Sequence, residues 1–212
     1  AKVRTMGLGD SGYSFRSAMH EIGHAIGLSH PFDGSSFTGN TLSADQDIMR
    51  NSIMSYTNLD RNSYINISQG SNNWDYRDYG GTGFGAGSYS YGEKRVYAST
   101  PMLYDIATAQ FMYGEETTNN GNNAYGYDDK PLLIHTIVDS GGTDAIDATG
   151  VTRSSTINLT PGTFSSIGIY TKAQQLADIE TNFGGSVKSN VETFMATLDG
   201  NAASGDAIYT GV

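Results

Sequence analysis

The chain has 212 residues, with 12 Lys and Arg against 22 Asp and Glu, giving a formal charge of −10. That acidity excludes a surface that tracks nucleic-acid phosphates, which needs clustered positive charge, and leaves carboxylates to spare for a hard divalent cation. The absence of cysteine excludes disulfides, thiolate metal sites and thiol catalysis together, and no apolar run approaches the ~18 residues of a membrane span.

The first periodic element runs from Ser14 to Ile26. Phe15, Ala18, Met19, Ile22, Ala25 and Ile26 fall on one face at helical spacing, with Ser14 as N-cap and Gly27 as the residue that ends the helix. The polar stretch from Gln69 to Tyr91 reads as a long surface loop with aromatic anchors, or else as the wall of a cleft. A second helix is expected over Pro101 to Tyr113, capped by Thr100 and closed by Gly114, with Met102, Leu103, Ile106, Ala107 and Gln110 facing inward. Strands are expected at Leu132 to Val138, Thr156 to Leu159 and Ser166 to Tyr170. A third helix, with Val187, Val191, Phe194, Met195 and Leu198 on one stripe, follows.

The chemistry concentrates in His20-Glu21-Ile22-Gly23-His24-Ala25-Ile26-Gly27-Leu28-Ser29-His30. His20 and His24 are one turn apart, roughly 6 Å along the axis, so both imidazoles can point at one ion. His30 could not join them on a continuing helix. Gly27 solves this, because glycine tolerates the left-handed conformation that stops a helix and turns the chain back. Three neutral imidazoles leave a coordination position open, the arrangement of a catalytic zinc site. Glu21 is rotated about 100° from His20 and need not ligate. It is placed to take a proton from zinc-bound water and pass it to a leaving amine. Chance occurrence of these five fixed positions is on the order of one in ten thousand, so a decorated helix face is the poorer explanation. His135, the one histidine outside this segment, reads as structural.

These residues resemble the metzincin metalloproteases, whose long zinc motif is followed by a methionine turn. That turn is matched by Ser52-Ile53-Met54-Ser55-Tyr56, and the resemblance makes Met54 the apolar floor under the metal. Pro31 after the third histidine and Met54-Ser55-Tyr56 are similar to the serralysin branch (peptidase M10). In that branch the tyrosine two residues after the methionine is a switchable zinc ligand that stabilises the tetrahedral intermediate, a role that falls to Tyr56. The similarity extends from Phe15 to Gly185, although the interval from Tyr56 to Pro101 is long for the branch.

The resemblance implies an α+β chain. Residues 1–114 would be a metzincin catalytic domain, and residues 115–212 the start of a calcium-binding β-rich region ending in a helix. It also implies calcium ligands at Asn119, Gly121 and Asn123, at Asp139, Gly141, Gly142 and Asp144, and at Asp178 and Glu180. Asparagines stand at 119 and 123 where Arg and Thr are usual, and Asp178 stands where Thr is usual. After Gly184-Gly185 a helix replaces the family's calcium nonapeptides, with only Gly205-Asp206-Ala207-Ile208-Tyr209 similar to such a repeat. Metzincins build a sheet before the zinc helix, and Ala1 to Tyr13 have room for one short strand at about 3.3 Å per residue. The expectation is therefore a part of a longer protease, completed by an upstream segment or a second chain.

The function implied is a secreted, extracellular, zinc-dependent endopeptidase, calcium-stabilised and acting on protein or peptide substrates, with no nucleic-acid partner. The alternatives are a non-catalytic calcium-dependent binding or structural module on a metzincin fold, and hydrolysis of a non-protein amide at the same site. An intact Glu21 argues against the non-catalytic module, since binding alone needs no general base.

Overall fold

The protein was analysed as a computed structural model, which describes residues 13–34, 40–58, 63–75, 83–129 and 134–201. It contains helices α1 (Tyr13–Ala25), α2 (Leu103–Tyr113), α3 (Lys172–Phe183) and α4 (Gly185–Asn201). The strands are β1 (Ser63–Gln69), β2 (Asn72–Asp75), β3 (Ser90–Arg95), β4 (Ala124–Asp128) and β5 (Ala145–Gly150). Two compact units interleave along the chain. The first gathers residues 1–59, 97–126 and 133–147, and the second residues 60–96, 127–132 and 148–212. No single cut, such as one after Gly114, separates them.

In the first unit, α1 ends as its sequence requires. Gly27 adopts φ +95°, its N–H bonds the His24 carbonyl at 3.0 Å, and the Leu28 N–H reaches the Gly23 carbonyl at 2.9 Å. These two bonds satisfy carbonyls that the helix end would otherwise orphan, and a left-handed glycine makes them possible. The buried face of α1 corrects the periodicity reading. Arg16, His20 and Gly23 point inward, whereas Ile22 is 61% and Ile26 40% exposed. The inward stripe meets the turn Ser52–Ser55, every residue of which is buried. Among the described residues the apolar stripe at Ile22 and Ile26 has no comparable cover.

Helix α2 starts two residues later than expected. Met102, not Thr100, is its N-cap, because Asp105 reaches back to the Met102 N–H at 2.8 Å. Its buried positions are Met102 and Asp105; Leu103 and Ile106 are half-buried and Ala107 is exposed.

The second unit is built from segments far apart in sequence. β1 is the centre of an antiparallel sheet of order β2-β1-β3, with Ile67 opposite Trp74 and Tyr91. Ile65 and Ile67, two apart and so on one face, join Trp74 in a core with Leu176 and Ile179 of α3 and Val187, Val191 and Met195 of α4. Each such side chain contributes roughly 1.5–3 kcal/mol when fully buried. Thr171 caps α3 through the Gln174 N–H, and Gly184 at φ +83° separates α3 from α4. The stretch 69–91, read from sequence as a loop, carries β2 and the start of β3, with Trp74 buried at 6% exposure.

The expected β-rich character of 115–212 is corrected. Its described residues hold the two-stranded sheet of β4 and β5, two isolated bridges (Ala98 with Ile134 and Thr156 with Ser166) and the two long helices α3 and α4. Among the described residues, backbone at 134–138 and 156–170 supplies no ladder, so the described parts of the three expected strands reduce to these bridges. The start of the first expected strand, up to Leu133, lies outside the described residues, as does Gly205 to Tyr209.

Candidate metal centre

The reversal at Gly27 brings three imidazoles to one point. His30 Nε2 lies 3.0 Å from His24 Nε2 and 3.2 Å from His20 Nε2. Potential ligand atoms of His20, His24 and His30 lie within 4.8 Å of one another. Two of the rings have their protons assigned by their partners. His20 Nδ1 faces the Ile53 carbonyl at 2.9 Å and His24 Nδ1 the Leu28 carbonyl at 2.9 Å. A carbonyl oxygen can only accept, so each Nδ1 carries the hydrogen and each Nε2 turns a lone pair to the common point. Burial first, then the neighbouring His24 and His20 imidazoles, hold the His30 imidazole below its ordinary range, against Asp33 at 3.8 Å. The three nitrogens converge at a spacing that one cation could bridge. The donor set fits zinc in ligand type and number.

The turn at residues 52–56 packs against α1 and brings Tyr56 to the cluster. Met54 is 1% exposed and its sulfur lies directly opposite Gly23 of α1. Tyr56 projects its hydroxyl to 3.0 Å from His30 Nε2 and 3.4 Å from His20 Nε2. Phe32 stacks on the His30 ring, centroids 4.9 Å apart and planes within 6°. Glu21, next to His20, is exposed.

Two buried charges hold this turn, and the sequence reading missed both. Arg16 donates to the carbonyls of Ile53 (2.9 Å) and Ser55. Asp105 accepts from Ser52 Oγ at 2.6 Å, from the Ile53 N–H at 2.8 Å and from the Met102 N–H. Burial pushes the Asp105 carboxyl up, opposed by those hydrogen bonds. The available signal was the position of Arg16, one turn before His20 on the same stripe.

The expected calcium ligands divide. The carbonyls of Asn119 and Gly121 and Asp139 Oδ2 converge on one atom, Asn123 Nδ2, at 2.8, 2.9 and 3.4 Å. Asp139 also accepts from Tyr125 Oη at 2.5 Å and from the Gly141 N–H at 3.0 Å. The Tyr125 hydrogen bond first, then those from Gly141 and Asn123, hold the Asp139 carboxyl below its ordinary range despite some desolvation. Asp144 Oδ1 accepts from the Asn123 N–H at 2.9 Å. Gly142, at φ +125°, packs so tightly that a Cβ would stand 2.3 Å from the Gly121 oxygen. The oxygens suit calcium in kind, but their common point is held by the Asn123 amide, which would have to turn aside. Asp178 and Glu180, which the resemblance implies as a later pair of calcium ligands, engage other side chains. Both lie on α3, two residues apart and therefore on different sides of the helix. Asp178 takes the Tyr170 hydroxyl at 2.7 Å and Glu180 the Lys188 ammonium at 2.7 Å. His135 stands apart from the metal cluster, and burial lowers its imidazole below the ordinary range.

Comparison with known proteins places the chain in a family. A Met-zincin family model matches residues 16–79, and a model described as Peptidase M10 serralysin C terminal matches residues 103–208, half of the chain. Metalloprotease AprA of Pseudomonas entomophila is 31% identical over 198 residues, covering 84% of this chain and 36% of that protein. Serralysin C of Dickeya chrysanthemi is 31% identical over 194 residues, 82% of this chain and 35% of the relative. Serralysin of Proteus mirabilis gives 31% over 194 residues, 82% of this chain and 34% of the relative. The chain thus spans about a third of the length of these relatives. The histidine cluster over a buried methionine turn and the match to both family models lead to one assignment: this chain belongs to the serralysin family of metzincin metalloproteases.

Proposed function

We propose that the chain carries the catalytic centre of a secreted, extracellular zinc endopeptidase acting on protein and peptide substrates. The observation that carries this reading is the convergence of three Nε2 atoms, two of them with their Nδ1 hydrogens tied to carbonyls. Zinc held by His20, His24 and His30 would polarise a carbonyl and acidify water. Glu21 is exposed beside His20 and so can accept a proton from the attacking water and hand it to the departing amine. The Tyr56 hydroxyl, within hydrogen-bonding reach of two ligand nitrogens, is placed to donate to the oxyanion that develops on the substrate. The names of the relatives, metalloprotease and serralysin, support the same reaction class. No helix among the described residues is long and apolar enough to cross a membrane.

Two further parts belong to this reading. Calcium would be held by Asp139, Asp144 and the backbone oxygens of Asn119 and Gly121, with the Asn123 amide displaced and Gly141 and Gly142 allowing the close turn. The exposed stripe at Ile22 and Ile26 would be covered by an upstream segment or an associated chain. The test is casein zymography of the zinc-loaded chain beside Glu21→Ala. Clearing by the first and none by the second is expected. Equal clearing by both would refute the role of Glu21, and clearing by neither, with the segment that covers Ile22 and Ile26 supplied, would favour a binding module.

A further inference from the structure

Arg16 is 5% exposed and lies one turn before His20 on the inward stripe of α1. A side chain wanted only for bulk there would be Leu or Met, since withdrawing a guanidinium from water is costly unless its donors are used. Its Nη2 donates to two carbonyls, those of Ile53 at 2.9 Å and Ser55, which flank Met54, while its Nε is buried with no hydrogen-bond partner among the described residues. The Ile53 oxygen is the same atom that accepts from His20 Nδ1. On the far side of the turn Asp105, 3% exposed, takes the Ile53 N–H and the Ser52 hydroxyl. The cation therefore faces carbonyls and the anion faces donors, with the turn's peptide groups between them.

We propose that Arg16 is a positioning residue of the metal centre. It fixes the Ile53 oxygen that keeps the His20 proton on Nδ1, and it fixes the Ser55 backbone from which Tyr56 projects. Lysine would be a poor substitute, because a single ammonium on a flexible stem lacks the planar, pre-organised geometry of a guanidinium. The inference rests on the metal-centre reading for its consequence, but not for its geometry.

The test uses the full chain, Arg16→Met and Arg16→Lys, with two measurements. The first is 15N–1H correlation of the imidazoles in the metal-free protein. In the wild type His20 is expected to carry its proton on Nδ1, and in Arg16→Met that single tautomer should give way to a mixture. The second is zinc affinity by chelator competition, expected to fall about 10-fold or more in Arg16→Met and less in Arg16→Lys, the range usual for outer partners of a metal ligand. A folded Arg16→Met with the wild-type His20 spectrum and zinc affinity would overturn the proposal. Should Arg16→Met fail to fold, a wild-type His20 lacking the Nδ1 proton, or an Arg16→Lys indistinguishable from wild type, overturns it equally. A wild type that binds no zinc refutes the metal-centre reading instead, while the metal-free spectra still decide the part played by Arg16.

Discussion

Gly23 of the zinc-motif helix faces Met54 so closely that a Cβ at residue 23 would stand 2.6 Å from the methionine sulfur. The contact joins the helix carrying His20 and His24 to the turn carrying Tyr56. It also explains why a residue poor for helices sits mid-helix. Gly23→Ala would gain about 1 kcal/mol of helix propensity and lose about 1–3 kcal/mol by overpacking a 1%-exposed methionine. A net destabilisation of about 1 kcal/mol is expected in urea unfolding. An increase in stability would show that Met54 has room to move.

Asp105 is the single acceptor for three donors around the same turn. Asp105→Ala strands two backbone N–H groups and a hydroxyl, each costing about 1–3 kcal/mol when left buried. A loss of at least about 3 kcal/mol is expected from chemical denaturation. A loss below about 1 kcal/mol would mean that water replaces the carboxylate.

Tyr56→Phe removes only the hydroxyl that lies 3.0 Å from His30 Nε2. If the phenol acts on the intermediate, turnover of a peptide substrate falls by about 10-fold or more while KM stays within a few-fold. Equal turnover in the two proteins would remove Tyr56 from the mechanism.

His135 is held neutral by burial, its folded pKa lying below the ordinary 6.5. The unfolded chain therefore binds more protons than the folded one once the pH drops below about 6.5. Thermal stability of the metal-free protein should be insensitive to this residue above that pH and decline as the pH is lowered through it. His135→Gln should show a shallower decline. Parallel pH–Tm curves for the two proteins would contradict the assignment.

Calcium binding in the 119–144 loops requires the Asn123 amide to leave the point where two carbonyls and Asp139 meet. At fixed zinc occupancy, Tm should rise as calcium is added after chelation, by the equivalent of about 2.7 kcal/mol at one hundred times Kd. Asp139→Asn should abolish the rise. A wild-type Tm that ignores millimolar calcium would show that Asn123 itself closes the loop.

The metal centre was legible because its determinants are local. Two histidines one turn apart and a glycine that reverses the chain fix most of the geometry within Asp33 and its predecessors. The inward face of α1 was misread because its partners are polar. Arg16 and His20 are buried by hydrogen bonds to the backbone at Ile53, which periodicity of apolar residues does not register. In the second unit α4 was legible from its apolar stripe, Val187, Val191 and Met195 of which enter the core, whereas β3 (Ser-Tyr-Gly-Glu-Lys-Arg) has no apolar alternation and is a strand only through its pairing with β1. α3 left a readable trace in the capping pair Thr171 and Gln174.

The central claim is that His20, His24 and His30 together hold one zinc ion. Zinc-edge X-ray absorption of the zinc-loaded chain tests it directly. The account predicts one zinc per chain with three imidazole nitrogens at about 2.0–2.1 Å, and a reduced imidazole count in His30→Ala. Zinc bound with fewer than three imidazoles in the wild type, or with the same count in His30→Ala, would contradict it.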